Sequence, residues 1–262
     1  MTRRRRIDEI LVDRGFADDL DDARSLVERH VVTIDNAPVL TVGRLVDPAE
    51  QVRVVEPSRY VSRGGLKLES ALDDLDLDVR GMKVIDVGAS TGGFVDCLLA
   101  HGAAAVTACD VGKGLLHPRI AADPRVTVRD SLNCRDLATA VSRGDVAPDH
   151  DLVVADVSFI SLRVLRDGIL AAVRGGGAVL LLVKPQFEAR RREVDAGGGV
   201  IRDDEVRRRC VDEVAEAFAH AGCTERGRVD CAVRGPAGNR EVWLWLDVPA
   251  VPRVPVVPSV DV

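Results

Sequence analysis

Between residues 84 and 246 the chain carries seven short apolar runs, at 84–87, 105–109, 126–128, 152–155, 178–183, 228–233 and 241–246, with helical stretches between most of them. Those at 152–155 and 178–183 are continuously apolar rather than alternating, as expected of strands covered on both faces. The segment 203–221 shows what does the covering: Val206, Cys210, Val211 and Val214 share one helical face. Strands alternating with helices predict an α/β fold with a mostly parallel, Rossmann-like sheet and helices on both of its faces. The last two runs follow each other without a long helix and predict a terminal hairpin. A chain of 262 residues holds such a domain, expected over 64–248, with room for an appendage.

The appendage occupies 1–57. Ile7, Ile10 and Leu11 sit at helical spacing, and Leu20, Ala23, Leu26 and Val27 make a second amphipathic helix after the turn at Gly15. Asp18, Asp19, Asp21 and Asp22 stand where an N-cap and acidic first turn belong. Residues 31–34 and 51–55 read as short strands, which makes this a small α+β unit. Residues 58–63 follow a proline, precede Gly64-Gly65 and read as a linker; the proline- and valine-rich stretch 249–262 reads as an extended tail.

Composition narrows the function. Net charge is −6, so nucleic-acid binding has to rest on local charge. In 1–57 acids outnumber arginines twelve to nine, and phosphate contacts would come from one face: Arg3, Arg4, Arg5, Arg6, Arg14 and Arg24, with Arg29 and Arg44 beside them. Six cysteines form no CxxC pair and five histidines no ligand spacing, so no metal site is expected, and the thiols fit a reducing compartment. The basic start runs straight into a helical pattern, and no stretch of about 18 uncharged apolar residues follows. A cytoplasmic protein without a membrane span is expected.

The sharpest local signal is Asp86-Val-Gly-Ala-Ser-Thr-Gly-Gly-Phe94, a strand emptying into a glycine-rich turn and then a helical run. Such a turn lets backbone amides approach a ligand at the head of a helix. The next strand ends at Asp110, placed to accept both hydroxyls of a ribose; Asp130 and Asp156 end the strands after it. In an open α/β sheet these tips can converge on one crevice, which predicts a nucleoside-cofactor pocket. The turn spacing, GASTGG rather than GxGxxG, and the terminal hairpin favour S-adenosylmethionine over NAD.

Residues 5–55, helix-helix-strand, resemble the S-four-type RNA-binding domain of ribosomal and RNA-modifying proteins. Along nearly the whole chain the segments Val61-Ser-Arg-Gly-Gly-Leu-Lys-Leu68, Asp86 to Phe94, Asp151 to Leu162, Leu182-Val-Lys-Pro-Gln-Phe-Glu188 and Gly235-Pro-Ala-Gly-Asn-Arg-Glu241 resemble the TlyA family, also called haemolysin A. The resemblance implies an RNA-binding module joined to an FtsJ-like, S-adenosylmethionine-dependent methyltransferase that modifies ribosomal RNA at ribose 2′-hydroxyls of cytidine. It places a Lys-Asp-Lys-Glu tetrad on Lys67, Asp156, Lys184 and Glu241. It places Gly88, Ser90, Gly92 and Phe94 around the methionine part of the cofactor, Asp110 on its ribose and Asp130 on the adenine side, with Asn133 and Phe159 as secondary candidates. The basic residues 1–6 resemble the longer form of the family, which implies both 16S and 23S RNA as targets, in naked RNA or in ribosomal subunits.

These residue types suit the chemistry. A ribose hydroxyl is too weak an acid for a charged ammonium to deprotonate, so a lysine base needs a neighbouring cation and a desolvated site. Lys184 is the expected base, Lys67 the neighbouring cation that orients the hydroxyl, and Asp156 and Glu241 the carboxylates that fix them, with no metal required. Three other readings compete: a membrane-active haemolysin, a ribosome-binding assembly factor with an idle methyltransferase fold, and a small-molecule methyltransferase. The sequence leaves the target nucleotide and the oligomeric state open.

Overall fold

The computed structural model describes residues 4–35, 37–54, 59–235 and 237–250, and its contacts divide the chain into two compact units, 1–58 and 59–262. The first unit comprises β1 (Arg5–Arg6), α1 (Ile7–Asp13), α2 (Leu20–Glu28), β2 (Val32–Ile34), β3 (Ala37–Pro38), β4 (Leu45–Val46) and β5 (Val52–Val54). The acidic cluster does what its position predicts: Asp19 caps α2, accepting from the amides of Asp21 and Asp22 at 2.9 Å. Ile7, Ile10 and Leu11 of α1 and Ala23, Leu26 and Val27 of α2 close a core with Val32, Ile34, Val46 and Val52. Asp8 is buried in this unit and is held below the usual carboxylate range by the Arg6 guanidinium at 2.7 Å; Arg24 lies 3.7 Å away.

The second unit runs α3 (Gly64–Asp74), β6 (Lys83–Val87), α4 (Gly93–Ala100), β7 (Ala105–Cys109), α5 (Pro118–Ala121), β8 (Val126–Arg129), α6 (Leu137–Ser142), β9 (His150–Ala155), α7 (Leu162–Ala172), β10 (Val173–Val183), α8 (Pro185–Glu188), α9 (Arg191–Ala196), α10 (Asp204–Ala219), β11 (Thr224–Asp230) and β12 (Val242–Asp247). One seven-stranded sheet has the order β11-β12-β10-β9-β6-β7-β8. The five strands from β10 to β8 are parallel, and β12 is antiparallel to both β10 and β11.

Successive strand residues face opposite sides, and this divides the core. Ile85, Val87, Val153, Ala155, Val179 and Leu181 pack under Leu165 and Ile169 of α7 and Val214 and Phe218 of α10. Val84, Val106, Leu152, Val154, Leu180 and Leu182 pack on the other face under Leu68 and Leu72 of α3 and Val95 and Leu98 of α4. All six cysteines are free thiols, and burial pushes Cys97 and Cys109 up to about 12, far from thiolate reactivity.

The sixth strand differs from expectation. It spans Thr224–Asp230 rather than 228–233, because an edge strand with exposed Glu225, Arg226 and Arg228 shows no apolar run, and the chain turns away after Asp230. Residues 59–63 also differ from a free linker. Tyr60 is buried and donates to Glu69 at 2.8 Å, and the Val61 amide donates to Asp96 at 2.8 Å, so this stretch belongs to the second unit. The tail expected at 249–262 lies, from residue 251, outside the described residues.

Candidate active site

The strand order reverses between β6 and β9. The chain goes from β6 outward through β7 and β8, then returns to lay β9 on the other side of β6. At such a point the loops after neighbouring strands diverge and leave a crevice at their carboxyl ends. Here the tips of β6 and β9 touch at Gly88: a Cβ on that residue would stand 2.5 Å from the carbonyl oxygen of Asp156, and its φ of +94° suits only glycine. The turn then heads α4 at Gly92. At the end of β7, Asp110 accepts the Ser90 amide on Oδ2 and the Gly112 amide on Oδ1, both at 2.8 Å. Two backbone donors thereby fix the plane of a carboxylate that keeps lone pairs for a ribose diol. Gly88, Ser90, Asp110, Asn133, Asp156 and Phe159 are among the walls of a cavity of about 360 Å³.

Below this turn lies Asp86, wholly buried in β6 with neither carboxylate oxygen partnered. Burial, and then the charges of Asp156 and Asp110, push its carboxyl well above the usual range. Asp86 lines neither this cavity nor its neighbour, and an unpartnered acid two residues before the glycine turn is chemically suited to a nucleoside that carries an ammonium. Asp86 opens the glycine-turn motif, and nothing in the sequence marks it as buried without a partner.

A second cavity, of about 440 Å³, shares Gly88, Ser90 and Asp156 with the first and adds Lys67, Arg63 and Phe94. Lys67 projects from α3, and its Nζ donates to Oε2 of Glu241 at 2.6 Å, with the side chains only 11% and 1% exposed. Lys184 leaves the end of β10; its Nζ lies 2.5 Å from Oδ1 of Asp156 and donates to Ser158 Oγ at 3.0 Å. The lysine meets Asp156 as a close ion pair and directs its hydrogen bond to the serine. Lys67 and Asp156 line one cavity, and Glu241 and Lys184 pair with them from outside its walls. The tetrad is therefore two charge-balanced pairs beside the glycine turn.

The FtsJ-like methyltransferase family profile matches residues 60–248. The chain is 40% identical over 248 residues to the 16S/23S rRNA (cytidine-2′-O)-methyltransferase TlyA of Mycobacterium tuberculosis, covering 94% of this chain and 91% of that one. The chain belongs to the TlyA group of FtsJ-like methyltransferases. Hemolysin A of Brachyspira hyodysenteriae is 32% identical, over 90% of this chain and 97% of that protein. A solved hemolysin-named structure from Streptococcus thermophilus superposes with a TM-score of 0.71 at 32% identity, covering 99% of this chain and 94% of the other. The methyl donor of this FtsJ-like fold is S-adenosylmethionine.

Within this FtsJ-like domain the remaining candidates fall in different places. Gly88, Ser90 and Asp110 line the first cavity, whereas Phe94 lines the second and packs its ring 5.5 Å from Trp243. Gly92 heads α4 without reaching either wall. Asp130 is exposed outside both walls and accepts the Gly114 amide at 2.9 Å. Phe159 gains weight: its side chain is 90% exposed, its φ is +65°, and its ring lies 5.1 Å from Phe187 at the cavity mouth. Single sequences carry no mark of such exposure.

The arginines of the first unit are largely engaged within it. Arg5 pairs with Asp13 and Glu9, Arg6 with Asp8, and Arg24 with Asp21, while Arg14 donates to the carbonyls of Pro48 and Glu50 at 2.6 and 3.1 Å. Arg4 is exposed and has no ionic partner among the described residues, and Arg3 lies outside them. Among the described residues no cluster of His, Cys, Asp and Glu could hold a metal, and no helix is long and apolar enough to cross a membrane.

Proposed function

We propose that the chain transfers a methyl group from S-adenosylmethionine to the ribose 2′-hydroxyl of cytidines in ribosomal RNA, in 16S and 23S alike. The observation that carries the reading is the adjacency of two cavities: one has the glycine turn and Asp110, the other has Lys67, and Asp156 borders both. The relative from M. tuberculosis supplies the substrate class by its name and 40% identity.

Gly88 and Ser90 would cradle the methionine part of the donor, Asp86 would meet its ammonium, and Asp110 would accept from its ribose hydroxyls. When bound, the donor supplies an electrophilic methyl on a sulfonium. The protein's own part is to present one hydroxyl to it and to take that hydroxyl's proton. Lys184 Nζ, held by Asp156 and Ser158, is the acceptor, and it acts once it has lost its own proton to solvent. Lys67, fixed by Glu241, directs a donor at the same hydroxyl and keeps the developing oxyanion in place. The proton taken from the hydroxyl restores the Lys184 ammonium beside Asp156 as the donor's positive charge is lost with its methyl, so the net charge of the crevice does not change.

The exposed ring of Phe159 offers a face for the target base, and Arg63, which has no ionic partner among the described residues, stands on the cavity wall where a phosphate can reach it. The first unit would act as an S-four-type docking module, with Arg4, which has no ionic partner among the described residues, as a phosphate contact and Arg3 beside it in the sequence. Free buried thiols and the ribosomal substrate suit the cytoplasm.

Mass-spectrometric mapping of ribose methylation on both ribosomal subunits tests the proposal, with wild-type protein and Lys184→Ala. Methylated cytidines that disappear with the variant are the expected result. Failure of the wild type to incorporate methyl would return the idle assembly factor, and lysis of vesicles that survives Lys184→Ala would return the haemolysin.

A further inference from the structure

The loops that leave β9 and β10 carry Asp156, Ser158 and Phe159 on one side and Lys184 and Phe187 on the other. They are tied at three levels. Lys184 meets Asp156 and Ser158 at the cavity, and Phe159 meets Phe187 at its mouth. Deeper in, Glu188 at the end of α8 reaches across to the first turn of α7. Its Oε1 accepts the Leu162 amide at 2.7 Å, and its Oε2 accepts Ser161 Oγ at 2.5 Å and Arg163 Nε at 3.3 Å. Arg163 returns a second bond to the Glu188 carbonyl at 3.1 Å and pairs with Glu213 of α10 at 2.8 Å. Glu188 is 5% exposed, so its charge is tolerated only because these donors surround it.

Helix capping alone does not call for this carboxylate, because Ser161 already caps α7 by accepting from the Arg163 amide. The stretch in need of support is the one just before it. Phe159 adopts a left-handed backbone that is uncommon for an aromatic residue and costs about 1–3 kcal/mol, yet it is exposed and has little packing of its own. Its conformation is held from its flanks, at Ser158 by Lys184 and at Ser161 and Leu162 by Glu188.

We propose that Glu188 is a positioning residue that registers the β9 tip against the β10 tip, setting Phe159 and Ser158 relative to Lys184. The inference rests on the reading of Lys184 as proton acceptor and Phe159 as the face for the target base. The carboxylate is required as such, since all its neighbours at this point donate.

A double-mutant cycle tests it with wild type, Glu188→Gln, Phe159→Ala and the double variant. The readouts are kcat and KM for ribosomal RNA at saturating S-adenosylmethionine, normalised to donor-binding sites counted by equilibrium binding. Glutamine keeps the shape but turns an NH₂ toward donors. The expected loss in kcat/KM per competent site is about 10–100-fold. It should shrink to less than about threefold in the Phe159→Ala background, because the two residues act through one loop. Equal losses in both backgrounds, or a loss explained wholly by fewer competent sites, would overturn the proposal. Should Glu188→Gln fail to fold, Ser161→Ala removes one donor to Glu188, together with the α7 cap, while leaving the Leu162 bond; per competent site it should show a smaller loss that Phe159→Ala also erases, and additivity there would overturn the proposal equally. A wild type that puts no methyl on RNA would instead sink the functional reading, and that arm is read separately.

Discussion

The Lys67–Glu241 pair is the sharpest place to separate scaffold from chemistry. The two side chains are 11% and 1% exposed with 2.6 Å between Nζ and Oε2, and Glu241 Oε1 lies only 2.7 Å from where a Cβ on Gly235 would stand. Glu241 itself lines neither cavity, so removing the ammonium strands its carboxylate. Lys67→Met keeps the length and removes the charge, so an uncompensated carboxylate stays buried. The expected cost is about 3–5 kcal/mol, or a fall in Tm of about 6–20 °C for a unit of this size. Lys67→Met/Glu241→Gln removes both charges and leaves one unpaired amide, which costs about 1–3 kcal/mol, so much of the stability should return. Methyl transfer should not return, because no cation then faces the hydroxyl. Urea unfolding gives the stabilities, and radioactive methyl incorporation into ribosomal RNA, measured well below the lowest Tm, gives the activity. A cost below about 1 kcal/mol for Lys67→Met would mean a solvated pair and refute the burial argument. Recovery of activity together with stability in the double variant would refute a chemical role.

Asp86 supplies a pH test. Burial raises its folded pKa above the unfolded value of about 3.9, so the native protein binds the extra proton, and stability falls as pH rises through the window between the two values. Asp86→Asn should flatten that slope, which scanning calorimetry across mildly acidic buffers reads. It should also abolish proton release on donor binding, seen by titration calorimetry in buffers of different ionisation heat; an unchanged slope and release would show that Asp86 does not titrate there. Phe159→Ala should lower kcat/KM for RNA by about 5–150-fold, the worth of one base stack, while leaving Tm within about 2 °C; an unchanged kcat/KM would remove the ring from the substrate path. In the first unit Arg4→Ala should weaken RNA binding and reduce the salt slope by about one, as read in filter binding across salt concentrations. Arg14→Ala should instead destabilise its unit, because its guanidinium bonds two backbone carbonyls; the reverse pattern would exchange their roles.

Local physics alone made the layered α/β domain legible. Continuous apolar runs can be satisfied only by burial on both faces, and the glycine turn after β6, with Asp110 after β7, points by spacing to the crevice that these residues line. Resemblance to a family, rather than periodicity, supplied the tetrad. Tertiary structure decided the rest. Asp86 looks like any strand residue until its two oxygens are seen to lack partners, and Phe159 looks like core until its ring is seen in solvent. The arginines of the first unit look alike in the chain, and only the fold shows which guanidiniums Asp8, Asp13 and Asp21 already hold. Lys67 and Glu241 stand 174 residues apart, and Lys184 faces Asp156 only because β10 lies beside β9 in register. Periodicity reports which face of an element is apolar, a property of near neighbours. Which charges meet depends on strand order and long-range closure, and those are properties of the folded chain.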